Sequence, residues 1–76
     1  MNYIIMEIQT DNGTTAIVPP VVFEDRNAAE ARYHTLLAVA AVSDVDVHTV
    51  VMLTNDGRTV RYECYRHEYI NNEESK

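Results

Sequence analysis

Both glycines of this chain fall in nearly the same acidic phrase: Thr10 to Thr15 reads TDNGTT, and Thr54 to Thr59 reads TNDGRT. Each phrase stands between runs rich in apolar and β-branched residues. Asn-Gly or Asp-Gly in that setting is the strongest local signal for a β-hairpin, because Asn, Asp and Gly tolerate the positive φ of a tight reversal. A calcium loop needs acids at alternate positions, a closing bidentate Glu and flanking helices. Here the flanks read as strands and that Glu is missing. The glycines therefore mark where the chain reverses, and each reversal joins two strands.

From Tyr3 to Gln9 the residues alternate, with Ile4, Met6 and Ile8 on one face and Tyr3, Ile5, Glu7 and Gln9 on the other. Ala16 to Val18 reads as a second, short strand. Pro19-Pro20 ends its pairing and marks a sheet edge, since proline has no amide hydrogen to donate. The phrase NAAE, Asn27 to Glu30, has the form of a capping box, and Ala29, Tyr33, Leu36, Leu37 and Ala40 then recur at helical spacing until Ser43-Asp44. Val45 to Leu53 is dense in β-branched residues and reads as a central strand buried on both sides. Arg58 to His67 alternates again, Val60, Tyr62 and Cys64 against Arg61, Glu63 and Tyr65.

This order predicts an α+β fold, ββαββ, with a four-stranded antiparallel sheet in the order 2-1-3-4 and one helix on one face. If Ala16 to Val18 is not a strand, the alternative is βαββ with a mixed sheet. One domain is expected over residues 1–70, with a polar tail over 71–76. The second turn leaves two registers. A two-residue loop, Asp56-Gly57, sets Val60, Tyr62 and Cys64 opposite Leu53, Val51 and Thr49. A three-residue loop, Asn55-Asp56-Gly57, sets them opposite Met52, Val50 and His48. The first matches apolar with apolar and is preferred.

The chain has 76 residues, twelve acids, six bases and a net charge of −6, with the acids scattered. That balance argues against nucleic-acid binding by phosphate neutralisation. A single cysteine allows no internal disulfide, and MNYIIMEIQT has neither a basic start nor a long apolar run, so a cytoplasmic protein without a membrane anchor is expected. CYRH, Cys64 to His67, has the spacing of half a zinc site, but strand residues three apart point to opposite faces. Cys64 meets His48 only in the disfavoured register. No catalytic residue, metal or cofactor is expected. The polar residues with most binding potential are Arg58, Arg61, Tyr65 and His34, which would line a small-anion or nucleotide pocket between protomers.

The hydrophobic fraction, 46%, is too high for a disordered chain of this length, so the chain folds. From Leu36 to Val42 every residue is apolar, and a helix apolar all round expects burial all round. A helix of about 15 residues is roughly 22 Å long and spans a four-strand sheet roughly 19 Å wide, but it covers only one face. Tyr3, Ile5, Val50 and Met52 are expected on the other. A homodimer follows, built through Leu37, Ala38, Val39, Ala41 and Val42 or through the open sheet face. The functional expectation is a non-enzymatic, self-associating interaction module with a protein partner; the alternative is a protein that sequesters a small anion or nucleotide.

The segments YIIMEIQT, RNAAEARYHTLLAVAAVSDVDVHTVVM and ECYRHE resemble a family of short uncharacterised proteins of Gram-positive gut anaerobes and of their prophages and mobile elements. The resemblance runs from Tyr3 to Glu68. It implies a bacterial or phage setting in the cytoplasm and carries no activity and no functional residues with it.

Overall fold

The computed structural model describes residues 1–67. The elements run β1 (Tyr3–Asp11), β2 (Thr14–Phe23), α1 (Arg26–Ala41), β3 (Val47–Thr54) and β4 (Thr59–Arg66). All pairings are antiparallel and the sheet order is β2-β1-β3-β4. This is the expected α+β, ββαββ arrangement. The domain end expected at residue 70 and the polar tail beyond it lie outside the described residues.

Both turns form where the glycines stand. Asn12 has φ 53 and Gly13 φ 79, so the first reversal is a two-residue loop with positive φ at both central positions, and its twist matches that of the strands. The acids of this phrase hold the chain. Asp11 Oδ1 accepts from the Asp46 amide at 3.3 Å, and Asp46 Oδ2 accepts from the Asn12 amide at 3.1 Å, which pins the entry to β3 against the first turn. In the second turn the Gly57 amide donates to the Thr54 carbonyl at 2.9 Å and the Thr54 amide to the Arg58 carbonyl at 2.8 Å. The loop is therefore the three-residue form, with Gly57 at φ 87. Yet the strands beyond it keep the preferred register, Val51 opposite Tyr62 and Thr49 opposite Cys64. A bulge reconciles the two: Leu53 opposes Thr59 and Met52 opposes Arg61, so Val60 is the extra residue.

A second bulge corrects the expectation for β2. Pairing does not end at the prolines. Val18 opposes Glu7 and Val21 opposes Ile5, so Pro19 and Pro20 together face Met6 alone, and the strand continues to Phe23. Proline is tolerated here because β2 is an edge strand with a bulge, where a missing amide breaks no essential ladder bond.

The helix begins earlier than NAAE suggests. Asp25 is its N-cap and its carboxylate accepts from the Ala28 amide at 3.1 Å; Glu30, expected to close a capping box with Asn27, points elsewhere. Ala29, Tyr33 and Ala40 of α1 pack on Ile5, Val50 and Met52, and Tyr3, Phe23, Leu36, Leu37, Val60 and Tyr65 surround that centre. Ile5, Val50 and Met52 thus lie under the helix with Tyr3 packed beside them, which corrects their expected place on the uncovered face. The burial of β3 alternates strictly residue by residue, so it is covered on one side only.

A Cβ on Gly57 would meet nothing within 4 Å, so its only constraint is backbone. Gly57→Ala is expected to lower unfolding free energy by about 1–2 kcal/mol, the cost of a left-handed conformation for an L-residue. Urea denaturation followed by circular dichroism measures it.

Candidate interaction surface

Directly opposed residues of paired strands share a face, so the registers sort every strand residue onto one of two surfaces. Under the helix run the rows Phe23–Tyr3–Thr54, Val21–Ile5–Met52–Arg61, Val18–Glu7–Val50–Glu63 and Ala16–Gln9–His48–Tyr65. On the bare side run Val22–Ile4–Leu53–Thr59, Met6–Val51–Tyr62, Ile17–Ile8–Thr49–Cys64 and Thr15–Thr10–Val47–Arg66. The usual half-solvated sheet is apolar inward and polar outward. Here both faces carry apolar side chains, and the charged strand residues gather on the helix side. Glu7, Glu63, Arg61, Gln9 and His48 lie on the helix side, while among the described strand residues the bare side carries one charged residue, Arg66, at a corner. Ile17, Val22 and Tyr62 are exposed there at 60%, 57% and 66%. Ile4, Met6, Ile8, Val47, Val51, Leu53 and Cys64 are half-buried there.

The polar groups on the helix side are mutually engaged. Glu30 is a hub: its carboxylate lies 3.1 Å from the Arg61 guanidinium, 3.4 Å from Arg26 Nε and 3.5 Å from His34 Nε2. Arg61 also lies 5.9 Å from the centre of the Tyr33 ring. Burial, with the Glu63 carboxylate adding to it, raises the Tyr33 phenol above its usual value of 10.0. At the other end His48, 2% exposed, places Nε2 3.6 Å from Glu7 Oε2 and 3.5 Å from Gln9 Nε2. Its Nδ1 is buried with no hydrogen-bond partner. His67 reaches the Ala40 carbonyl at 2.9 Å and stacks on Tyr65 at 6.4 Å.

The residues expected to line one anion pocket are dispersed. Arg61 and His34 meet on Glu30, Tyr65 stands at the far end of β4 beside His67, and Arg58 lines a different hollow. That hollow, about 300 Å³, is formed by Met1, Tyr3, Arg26, Thr54, Arg58, Thr59 and Val60 within a single chain. Cys64 is on the bare face, away from His48 and His67 on the helix side, so neither a Cys–His pair nor a zinc half-site forms. Among the described residues no group of three His, Cys, Asp or Glu side chains is placed to hold a metal. On the helix, Ala38, Val39, Ala41 and Val42 are exposed, Val42 at 81%, while Leu37 turns half inward onto the core. No described helix is long and apolar enough to cross a membrane.

The bare face escaped sequence reasoning in its particulars. The signal was present in the alternation of β1, where Ile4, Met6 and Ile8 are more uniformly apolar than Tyr3, Ile5, Glu7 and Gln9. Taken alone, that contrast points the helix toward the wrong side.

The second turn carries a pH dependence. The Thr54 hydroxyl donates to the Asp56 carboxylate, and this bond, with the Arg58 amide next in weight, lowers the Asp56 pKa below its usual 3.8. A carboxyl depressed on folding contributes stability above its unfolded value and loses it as the pH falls through the folded one. Thermal unfolding between pH 5 and pH 2 is therefore expected to show an acid loss that Asp56→Asn reduces, with the two proteins converging at the acid end.

Compared with known proteins, no family model, no curated protein and no solved structure matches this chain.

Proposed function

We propose that this protein is a non-enzymatic binding module whose working surface is the bare face of its sheet, and that its partner is a protein. The observation that carries the reading is the scarcity of charge on the bare face. A chain with a net charge of −6 that meant that face for water had ample charged residues to place there. It places them under and around the helix instead. A contiguous apolar surface bordered by threonines has the anatomy of an interface, an apolar centre with a polar rim. The setting proposed with it, from the resemblance in the sequence, is the cytoplasm of a bacterium or of a cell carrying its phage.

The face can be altered without touching the core, since Ile8 and Val51 point away from Tyr33 and Ile5. Ile8→Glu and Val51→Glu are expected to retain the wild-type circular dichroism spectrum and to lose every stable macromolecular association, homotypic or heterotypic. Native mass spectrometry of protein isolated from producing cells, beside the purified protein, reads this directly. Wild type emerging as a bare monomer in both samples refutes the reading.

A second reading rests on the hollow at Arg26 and Arg58, where two guanidiniums, two threonines and a tyrosine surround a space large enough for a small ligand. Here a small phosphorylated anion is the candidate. A thermal-shift titration with inorganic phosphate and a nucleoside monophosphate is expected to raise the melting temperature of wild type and not of Arg58→Ala; equal behaviour of the two proteins discards it.

A further inference from the structure

The bare face is nearly free of charge on a strongly acidic molecule, and this narrows what can cover it. Two copies of a chain carrying −6 repel wherever acids are brought against acids. Across the bare face no acid opposes an acid, because its four rows contain none. It is the sheet surface on which a copy can meet itself without like-charge cost. The helix side offers no equivalent: Glu7, Glu30 and Glu63 stand on it, and its exposed apolar residues are split between Val39 and Val42 at one helix end and Val18 and Val21 on the edge strand.

We infer that the occupant of the bare face is a second copy of this chain, packed sheet on sheet about a twofold axis. This rests on the reading of that face as the working surface and adds the partner's identity. The dimensions agree. Eight residues per strand at about 3.3 Å and four strands at about 4.8 Å give a face of roughly 26 by 19 Å, or about 500 Å² per copy. The pair then buries about 1,000 Å², the lower bound for a specific interface. Aligned sheets pack about 10 Å apart with their side chains interdigitated, and the centre of such a contact holds Met6, Ile8 and Val51, with Ile4 and Leu53 beside them. Thr10, Thr15, Thr59 and Arg66 fall at its border. Thr10 and Thr15 already share a hydrogen bond of 2.9 Å, so that stretch of the border has hydroxyl partners of its own. The resulting assembly is a four-layer sandwich, helix, sheet, sheet, helix, with the charged residues outermost.

Sedimentation equilibrium of the full chain from 1 to 500 µM tests this. The expected result is a monomer–dimer equilibrium that Ile8→Glu and Val51→Glu each weaken at least 100-fold and Val42→Glu leaves within threefold. Raising the salt is expected to tighten the dimer, since it screens the net repulsion and there are no cross-interface ion pairs to lose. Cys64 supplies a reading that needs no variant. It is half-buried on the bare face, so the fraction of thiol reacting quickly with a disulfide reagent should fall as wild-type concentration rises. A monomer throughout, a dimer broken by Val42→Glu and spared by Val51→Glu, or a dimer with concentration-independent thiol reactivity overturns the inference. If wild type is monomeric when pure but binds a different protein through Ile8 and Val51, the second copy is refuted and the binding-module reading stands.

Discussion

The alternation of β1 is the constraint on which the rest of the molecule depends. β1 pairs with both β2 and β3, so whichever of its faces meets the helix sets the inward face of the whole sheet. Ile5 turned toward Tyr33 and Ala29 brings Val50 and Met52 with it, because opposed residues share a side. Ile4, Met6 and Ile8 are thereby committed to the opposite surface. A slip of one residue in either pairing would send a glutamate or a histidine to the bare side and a row of isoleucines under the helix. The two bulges belong to the same constraint. At Pro19-Pro20 and at Val60 an extra residue restores parity where the chain would otherwise carry the wrong face inward.

Much of this was legible in the sequence because the signals were local. Asn12-Gly13 and Gly57 announce reversals by their positive φ, and the helical spacing of Ala29, Tyr33 and Ala40 marks the residues of the helix that prove most buried. The strand order follows from two hairpins joined by one helix. What stayed hidden was non-local. Nothing near Pro19 tells the chain that pairing resumes at Val21; the register with Ile5 does. Asn27 looks like a cap, but Asp25, two residues earlier, supplies the carboxylate that reaches the Ala28 amide. Arg58, Arg61, Tyr65 and His34 looked like one site because strand alternation and helix periodicity are blind to which end of the sheet each occupies. The choice of covered face was the hardest of all. Glu7 and Gln9 argue for solvent, and only their partnership with His48, forty residues away in sequence, makes the helix side tolerable for them.

That tolerance has a physical cost and an explanation. The covered face holds Glu7, Gln9 and His48 at its far end, where His48 Nδ1 is left without a partner. An orphaned buried nitrogen costs on the order of 1–3 kcal/mol. The covered side accepts this cost while isoleucines and a tyrosine stand on the bare one, which is the balance the proposed dimer would redress. The centre under α1 is thin: two of its members are alanines, and Ile5, Val50 and Met52 are the large side chains fully enclosed. At this chain length a single core is marginal.

The proposed association would change that balance. Burying about 1,000 Å² of mostly apolar surface is worth roughly 25 kcal/mol gross at 25 cal/mol per Å², and lost rigid-body freedom and side-chain ordering offset most of it. The surplus is small, but it acts on a monomer whose own margin is small. Folding and the proposed binding then draw on alternate residues of one strand: odd-numbered positions of β1 close the first layer and even-numbered positions would close the second. The helix resolves half of the sheet's hydrophobic surface, and its charged hub at Glu30 keeps the outer side of that layer compatible with water. The remaining half has no such provision, and in the proposed dimer a second copy of the same apolar surface covers it.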